Sequence, residues 1–270
     1  MKTFEDTIQS LDVSVFDRVY SQLVPEDKRS LLAVQKSVRS LQREYAYLEI
    51  GSYMGGSIQP HLLDARCRRI YSIDPRPQVP PDQRGHIQVY PGNSTEKMLG
   101  LLREVSAENV GKITCFDADA SAVDPGSIVE RPTLCFIDGE HTDNAVLSDF
   151  AFCRKVLANR GIICFHDPNV VFGALLKIIE QLHSEGVRFH AFVLPLHVFV
   201  FEFNDFTIHD SADILPMLVD NHTAYLAGLK SLEHYRDVYT SRTVRFMRFL
   251  HRRLLDIKNP KRIPLHLGRS

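Results

Sequence analysis

The sequence predicts an α/β protein built on a mostly parallel sheet of seven strands, with helices on both faces and an antiparallel last strand. Three observations lead there. From residue 45 onward, short apolar runs at 46–50, 69–73, 87–90, 133–137, 161–165, 188–194 and 197–203 alternate with helical segments, the pattern of successive βαβ units. The last two runs, within FHAFVLPLHVFVFEF, are separated by Pro195 and a few neighbours, too short a link for a parallel crossover, so they form an antiparallel hairpin. Residues 45–57, YAYLEIGSYMGGS, pass from an apolar run into a glycine-rich turn and on into a helix, as a strand does when it enters a ligand-binding loop.

A chain of 270 residues with 44% hydrophobic content can bury one sizeable core with appendages. The divisions expected are a helical cap at 1–44, the α/β domain at 45–205 and a helical basic tail at 206–270. A net charge of -1 gives no reason to expect a nucleic acid partner. The five cysteines are odd in number and lack C-x-x-C spacing, so they read as reduced and mostly buried. Acids stand early in the N-terminus, and no run approaches the roughly 20 apolar residues of a spanning helix; a cytoplasmic location is expected.

Taken in order, residues 1–44 suggest two helices separated at Pro25, the second with Leu31, Leu32, Val34, Val38 and Leu41 at helical spacing. The sequence assigns them no chemistry. The glycine loop follows. A dinucleotide fingerprint needs G-x-G-x-x-G, and Tyr53 stands where its second glycine belongs, so a pyrophosphate is not the expected guest. Glu49, just before Gly51, would repel a phosphate but could hold a cationic amino group such as that of S-adenosylmethionine.

At these residues the resemblance becomes specific. Glu49, Gly51, Tyr53, Gly55 and Ser57, in the order E-I-G-x-Y-x-G-x-S, resemble motif I of class I S-adenosylmethionine-dependent methyltransferases, most closely the catechol and caffeoyl-CoA O-methyltransferases. Together with SID at 72–74, FIDGEH at 136–141 and IICFHD at 162–167, the chain is similar over residues 40–203 to bacterial methyltransferases that include cephalosporin-hydroxylase-like and macrolide sugar O-methyltransferases. The resemblance implies a Rossmann-like sheet whose antiparallel strand the hairpin already predicted. It also implies S-adenosylmethionine as cofactor and N-terminal helices bordering the substrate site.

The remaining candidates lie where strands end, the place open α/β sheets bind ligands. Asp74, at the end of the second run, can accept hydrogen bonds from both ribose hydroxyls; otherwise it is an Asp-Pro turn. PGNSTE after Tyr90 and FDADAS after Cys115 both offer a loop for the adenine, and the ITCF run at 113–116 leaves the third strand open between two candidates. Asn93 and Ser94 are favoured, because they follow the 87–90 run directly and Ser94 suits a helix N-cap. Asp138 ends the fourth run and His141 follows three residues later. In the resembling catechol-type enzymes the first position binds a divalent metal and the second is the general base, a role suited to imidazole. His166 and Asp167 end the fifth run. Asp138 and Asp167 form a hard-cation pair suited to magnesium, whereas His166, where relatives carry an acid, favours a softer ion such as manganese or no metal at all. His61, His183, His190 and His197 read as structural.

From Arg242 to the C-terminus there are nine Lys or Arg residues and one acid, Asp256, with Val244, Phe246, Met247, Leu250, Leu254 and Leu255 on one helical arc. Such a helix suits peripheral membrane or protein contact, or packing on its own domain. The function expected is O-methylation of a sugar or other small hydroxylated metabolite. The alternatives are a non-catalytic accessory protein of glycan assembly on the same fold and an NAD-dependent oxidoreductase, which lacks its pyrophosphate turn here.

Overall fold

The computed structural model describes residues 3–77, 80–85, 89–220, 228–230, 232–234, 238 and 241–258. Seven strands form one sheet: β1 (Tyr45–Ile50), β2 (Cys67–Ile73), β3 (Ile113–Phe116), β4 (Leu134–Ile137), β5 (Ile162–His166), β6 (Phe189–Leu194) and β7 (Val198–Phe203). Their order is β3-β2-β1-β4-β5-β7-β6. Strands β1 to β5 are parallel, and β7 runs antiparallel to both its neighbours, β5 and β6. The hairpin is thus present, with its antiparallel strand one place in from the sheet edge.

One strand differs from expectation. Val89 and Tyr90 are not in a strand, and residues 87 and 88 lie outside the described residues. The third strand is the ITCF run, registered on β2 from Ile70↔Ile113 to Ile73↔Phe116. Both candidates are short apolar runs, and pairing to β2 distinguishes them where propensity does not.

Period-two alternation divides each strand between two cores. On one face Tyr45, Tyr47, Phe136, Cys164 and Val200 pack with residues from α1 (Phe4–Gln9), α2 (Pro25–Leu41) and α4 (Thr95–Val105), among them Ile8, Leu32, Val34, Val38 and Met98. On the other face Leu48, Ile50, Ile137, Phe165 and Phe201 pack with Phe150, Cys153, Val170 and Ile178 of α5 (Asp143–Val156) and α6 (Pro168–Ser184). A short α3 (Gln59–Leu63) precedes β2. Pro25 is the first residue of α2, where a missing backbone N–H leaves no helical hydrogen bond unmade. Cys67, Cys135, Cys153 and Cys164 are buried free thiols, and Cys115 is a partly buried one.

The helical tail expected from residue 206 starts later. Phe206, Ile208 and Ile214 are buried in the same core as α2, and Val219 N–H bonds the Val193 carbonyl at 2.9 Å. The amphipathic helix is α7 (Arg242–Lys258), on which Phe246, Met247, Phe249 and Leu250 are exposed. Its basic continuation at 259–270 lies outside the described residues. Among the described residues no helix is long and apolar enough to cross a membrane.

Candidate functional site

The glycine loop begins by extending β1: Gly51 N–H bonds the Ile73 carbonyl at 2.9 Å. Gly51 has φ +90°, and a Cβ there would lie 2.2 Å from the Asp138 carbonyl oxygen, so the ends of β1 and β4 can meet only at glycine. Tyr53 also takes a left-handed conformation, φ 45°, and donates its N–H to Asp74 Oδ2 at 2.9 Å. The curled loop frames a cavity of about 310 Å³, lined among others by Gly51, Tyr53, Ser57, Asp74, Asn93 and Asp138. That volume suits a small molecule.

Residues 20–23 close one side of the cavity and lie against Gly56, where a Cβ would be 2.4 Å from the Tyr20 carbonyl oxygen. It is thus the link before α2 that borders the cavity; the N-terminal helices, which the resemblance implied at the substrate site, are not on its wall.

Three of the expected cofactor residues serve the loop from behind. Glu49 is 1% exposed and off the cavity wall; it accepts hydrogen bonds from the Tyr47 hydroxyl at 2.6 Å and from Ser57, which is on the wall. Burial raises its pKa to about 7 against the pull of those two donors. Glu49, expected to hold a cationic amino group, thus reaches the cavity through Ser57. Gly55, φ +80°, seats the loop on α4, where a Cβ would lie 2.8 Å from Leu102 Cδ1, and it is likewise off the wall. Ser94 caps α4 by accepting Lys97 N–H at 3.2 Å and does not face the cavity. Asn93 does, and so do Asp119 and Ala120 of the FDADAS loop. That loop borders the cavity because the strand before it, β3, is the one paired to β2.

Asp74 organises this half of the site. Its Oδ1 accepts Arg76 N–H at 2.7 Å, its Oδ2 meets Arg76 Nη1 at 3.3 Å, and the same guanidinium reaches the Tyr53 carbonyl at 2.8 Å and Asn93 Oδ1 at 3.3 Å. Tyr90 and Asp149 also line the cavity, and neither was singled out from sequence. Burial, reinforced by the Asp119 and Glu140 charges, raises the Asp149 pKa to about 7.

Beyond Asp138 lies a cluster of acids and histidines. His166 Nδ1 stands 3.1 Å from Asp138 Oδ1 and 3.7 Å from Asp167 Oδ1. His141 Nε2 is 3.5 Å from both Asp138 Oδ1 and Asp167 Oδ2. The structure brings these four residues together, and His141 itself is not on the cavity wall.

Two further members come from afar. Asp27, in the first turn of α2, is 3.2 Å from His166 Nε2 and 3.3 Å from His197 Nδ1, and it accepts His197 N–H at 3.0 Å. Through Asp27 the second N-terminal helix touches the cluster, and His197, expected to be structural, is held there by the same carboxylate. An acid in a first helical turn is commonplace, and no local signal marks this one. Burial opposes the charge on His166, yet the surrounding carboxylates of Asp138, Asp27 and Asp167 raise its pKa well above the usual imidazole value. Burial likewise opposes charge on Asp138, but His166 and His141 lower its pKa to about 2.

The cluster fits a divalent cation. Donor atoms of Asp138, His141 and His166 all lie within 4.8 Å of one another, and His141 Nε2 is buried without a hydrogen-bond partner. The acid–imidazole separations of 3.1, 3.5, 3.5 and 3.7 Å bracket the roughly 3.4 Å between ligands of a tetrahedral ion with bonds of about 2.1 Å. Two imidazoles favour manganese, iron or zinc over magnesium. A carboxylate on the far nitrogen of His166, as Asp27 provides, is the usual outer partner of a metal-ligating histidine.

Residues 48–168 match a family model described as a methyltransferase domain. Comparison with curated proteins finds no match. Among solved structures, the calicheamicin methyltransferase CalS11 is 14% identical, with a TM-score of 0.49, over 74% of this chain and 93% of that one. The O-methyltransferase TomG from Streptomyces achromogenes, in complex with SAM, is 12% identical, with a TM-score of 0.47, over 73% and 89%. An rRNA methylase from Streptococcus thermophilus is 11% identical, with a TM-score of 0.47, over 68% and 99%. Identities this low carry no acceptor across. The matched residues run from within β1 to the start of α6, the stretch that carries the glycine loop, Asp74, Asp138, His141, His166 and Asp167.

Proposed function

We propose that this protein transfers the methyl group of S-adenosylmethionine to a hydroxyl oxygen of a sugar or other small hydroxylated metabolite. The observation that carries this reading is the junction at Asp138, where a cavity walled by the glycine loop and Asp74 meets a cluster of acids and imidazoles. Ser57 and the loop backbone hold the amino acid end of the cofactor. Asp74 accepts from the ribose hydroxyls, and Asn93 with Asp119 borders the base. The acceptor oxygen attacks the methyl carbon, the carbon–sulfur bond breaks toward sulfur, and His141 takes the hydroxyl proton. Asp138 and Asp167, each 3.5 Å from His141 Nε2, stabilise the imidazolium that results. A cation held by Asp138, His166 and Asp167 would lower the hydroxyl pKa and orient the acceptor.

A second reading concerns His141 alone. Its Nε2 faces two carboxylates and lies off the cavity wall, which favours a ligand role over that of base.

One set of measurements separates these readings. Calorimetry with S-adenosylmethionine and with NAD is followed by a methyl-transfer screen over hydroxylated sugars and catechols, with His141→Ala beside the parent. A base predicts that turnover falls on the order of 100- to 10,000-fold while cofactor affinity and metal content stay constant. Loss of metal along with turnover identifies a ligand. NAD binding in place of S-adenosylmethionine overturns the proposal, and cofactor binding with no acceptor methylated leaves an accessory protein.

A further inference from the structure

The most distinct cluster of ligating side chains outside this site lies at the other end of the sheet. Glu202 on β7 pairs across the sheet with Ile162, the first residue of β5, whereas the acid–histidine cluster sits at the last, His166. Glu202 is 1% exposed, and a carboxylate so buried must have its lone pairs met. Oε2 accepts backbone N–H groups from Ile208 at 2.6 Å and His209 at 3.2 Å. Oε1 is left to two imidazoles. Nδ1 of His190, the cross-strand neighbour on β6, is 2.9 Å away, and Nδ1 of His209, on the segment returning over the sheet, also bonds it.

We propose that His190, Glu202 and His209 form a second divalent-cation site, of a chemistry suited to zinc. The three donor atoms lie within 4.8 Å of one another, and the two rings are 4.5 Å apart between centroids. In a tetrahedral zinc site with bonds of about 2.0 to 2.1 Å, neighbouring donors stand roughly 3.4 Å apart, so the His190 contact opens by about half an ångström and the shorter His209 contact by more. The carboxylate is already aimed, because backbone donors fix its other oxygen, the outer arrangement that orients metal ligands. The imidazoles supply access: the His190 and His209 side chains are 48% and 33% exposed, which leaves solvent for a fourth position. Two nitrogens and one oxygen select zinc over magnesium or calcium.

Such an ion would tie β6, β7 and the return segment together. That segment carries Phe206, Ile208 and Ile214 into the core beneath α2, so occupancy would raise the stability of the whole domain by mass action. The rival account is a carboxylate held by two imidazole hydrogen bonds with no ion.

The full chain, stripped with a chelator, is titrated with zinc chloride by calorimetry beside His190→Ala and His209→Ala. Crystals of the parent soaked in zinc chloride are measured across the zinc absorption edge. Expected are an anomalous peak between the three side chains, one fewer zinc equivalent in each variant, and a zinc-dependent rise in Tm that shrinks in both. Any ion at Asp138 and His166 appears as a separate peak, so failure of the proposed catalytic reading leaves this test intact. If His209→Ala does not fold, His190→Ala alone decides, since its side chain is half exposed and the backbone hold on Glu202 survives. An empty trio in the soaked crystal, or unchanged stoichiometry in His190→Ala, overturns the proposal in favour of hydrogen bonding alone.

Discussion

The two halves of the strand-end site are built from different materials. The half over β1 and β2 is one continuous loop, 51–57, whose shape is set by backbone: a glycine at φ +90°, a tyrosine at φ 45° and a carboxylate, Asp74, that ties them to β2. The half over β4 and β5 is a set of charges gathered from Asp27, Asp138, His141, His166, Asp167 and His197. A backbone constraint is written in consecutive residues, whereas a charge cluster exists only after folding. Histidine shows the contrast most sharply. His61, behind the loop half, stacks on Tyr47 at 3.7 Å with its Nδ1 2.9 Å from the Tyr45 hydroxyl, and burial lowers its pKa to about 3. His166 is a little more exposed, and the carboxylates around it raise its pKa well above the usual imidazole value.

The largest effect should come from joining the halves wrongly. Gly51→Ala places a Cβ 2.2 Å from the Asp138 carbonyl oxygen at a left-handed φ, so the end of β1 and the end of β4 must move apart. The loss expected is about 5 kcal/mol, at the extreme of single substitutions. Urea denaturation measures it, and a loss under about 1 kcal/mol would mean that the loop and the cluster are not coupled through this contact.

Next is the cluster itself. Asp27→Ala leaves His166 and His197 without their shared carboxylate, and breaking a buried pair costs about 3 to 5 kcal/mol. Asp27→Asn, which can still accept His197 N–H, should recover part of that. If alanine and asparagine are equally mild in denaturant, α2 is only a packing helix.

How much of this was legible follows from the same contrast. The glycine loop, Asp74 and Asp138 could be placed because turn chemistry and strand ends leave local marks. The third strand could not, because VY at 89–90 and ITCF are both apolar and only pairing to β2 chooses between them. Asp27 resembles any acid in a first helical turn, and Glu49 gave no sign that its partners would be Tyr47 and Ser57.

The histidine contrast gives a pH test. His61 is neutral when folded and titrates near the usual imidazole value when unfolded, so between those two values the unfolded chain binds the extra proton and stability falls as pH falls. His61→Phe keeps an aromatic ring against Tyr47 and removes the titration. From pH 7 to pH 4 the stability of the parent relative to His61→Phe should drop by about 3 kcal/mol, at 1.36 kcal/mol per unit. A flat difference would show that His61 accepts a proton in the folded state and that the two histidines are alike after all.

The smallest effect should fall on the cofactor, and it tests whether the loop half does what its backbone suggests. Asp74 has two jobs: its oxygens hold Tyr53 N–H and Arg76 N–H, and on the proposed reading they also accept from the ribose. Asp74→Ala removes both, so loss of affinity alone is ambiguous. Asp74→Asn keeps an acceptor for one backbone donor but loses the charge, and a charge-assisted bond is worth about 1.5 to 3 kcal/mol. If the ribose contact is real, the asparagine variant should retain most of its Tm while S-adenosylmethionine binds about 2 kcal/mol more weakly, roughly 30-fold. Calorimetry and thermal unfolding on the same sample separate the two. Equal affinity in parent and asparagine variant would leave Asp74 as a brace for Tyr53 and Arg76, and would move the ribose to another part of the cavity wall.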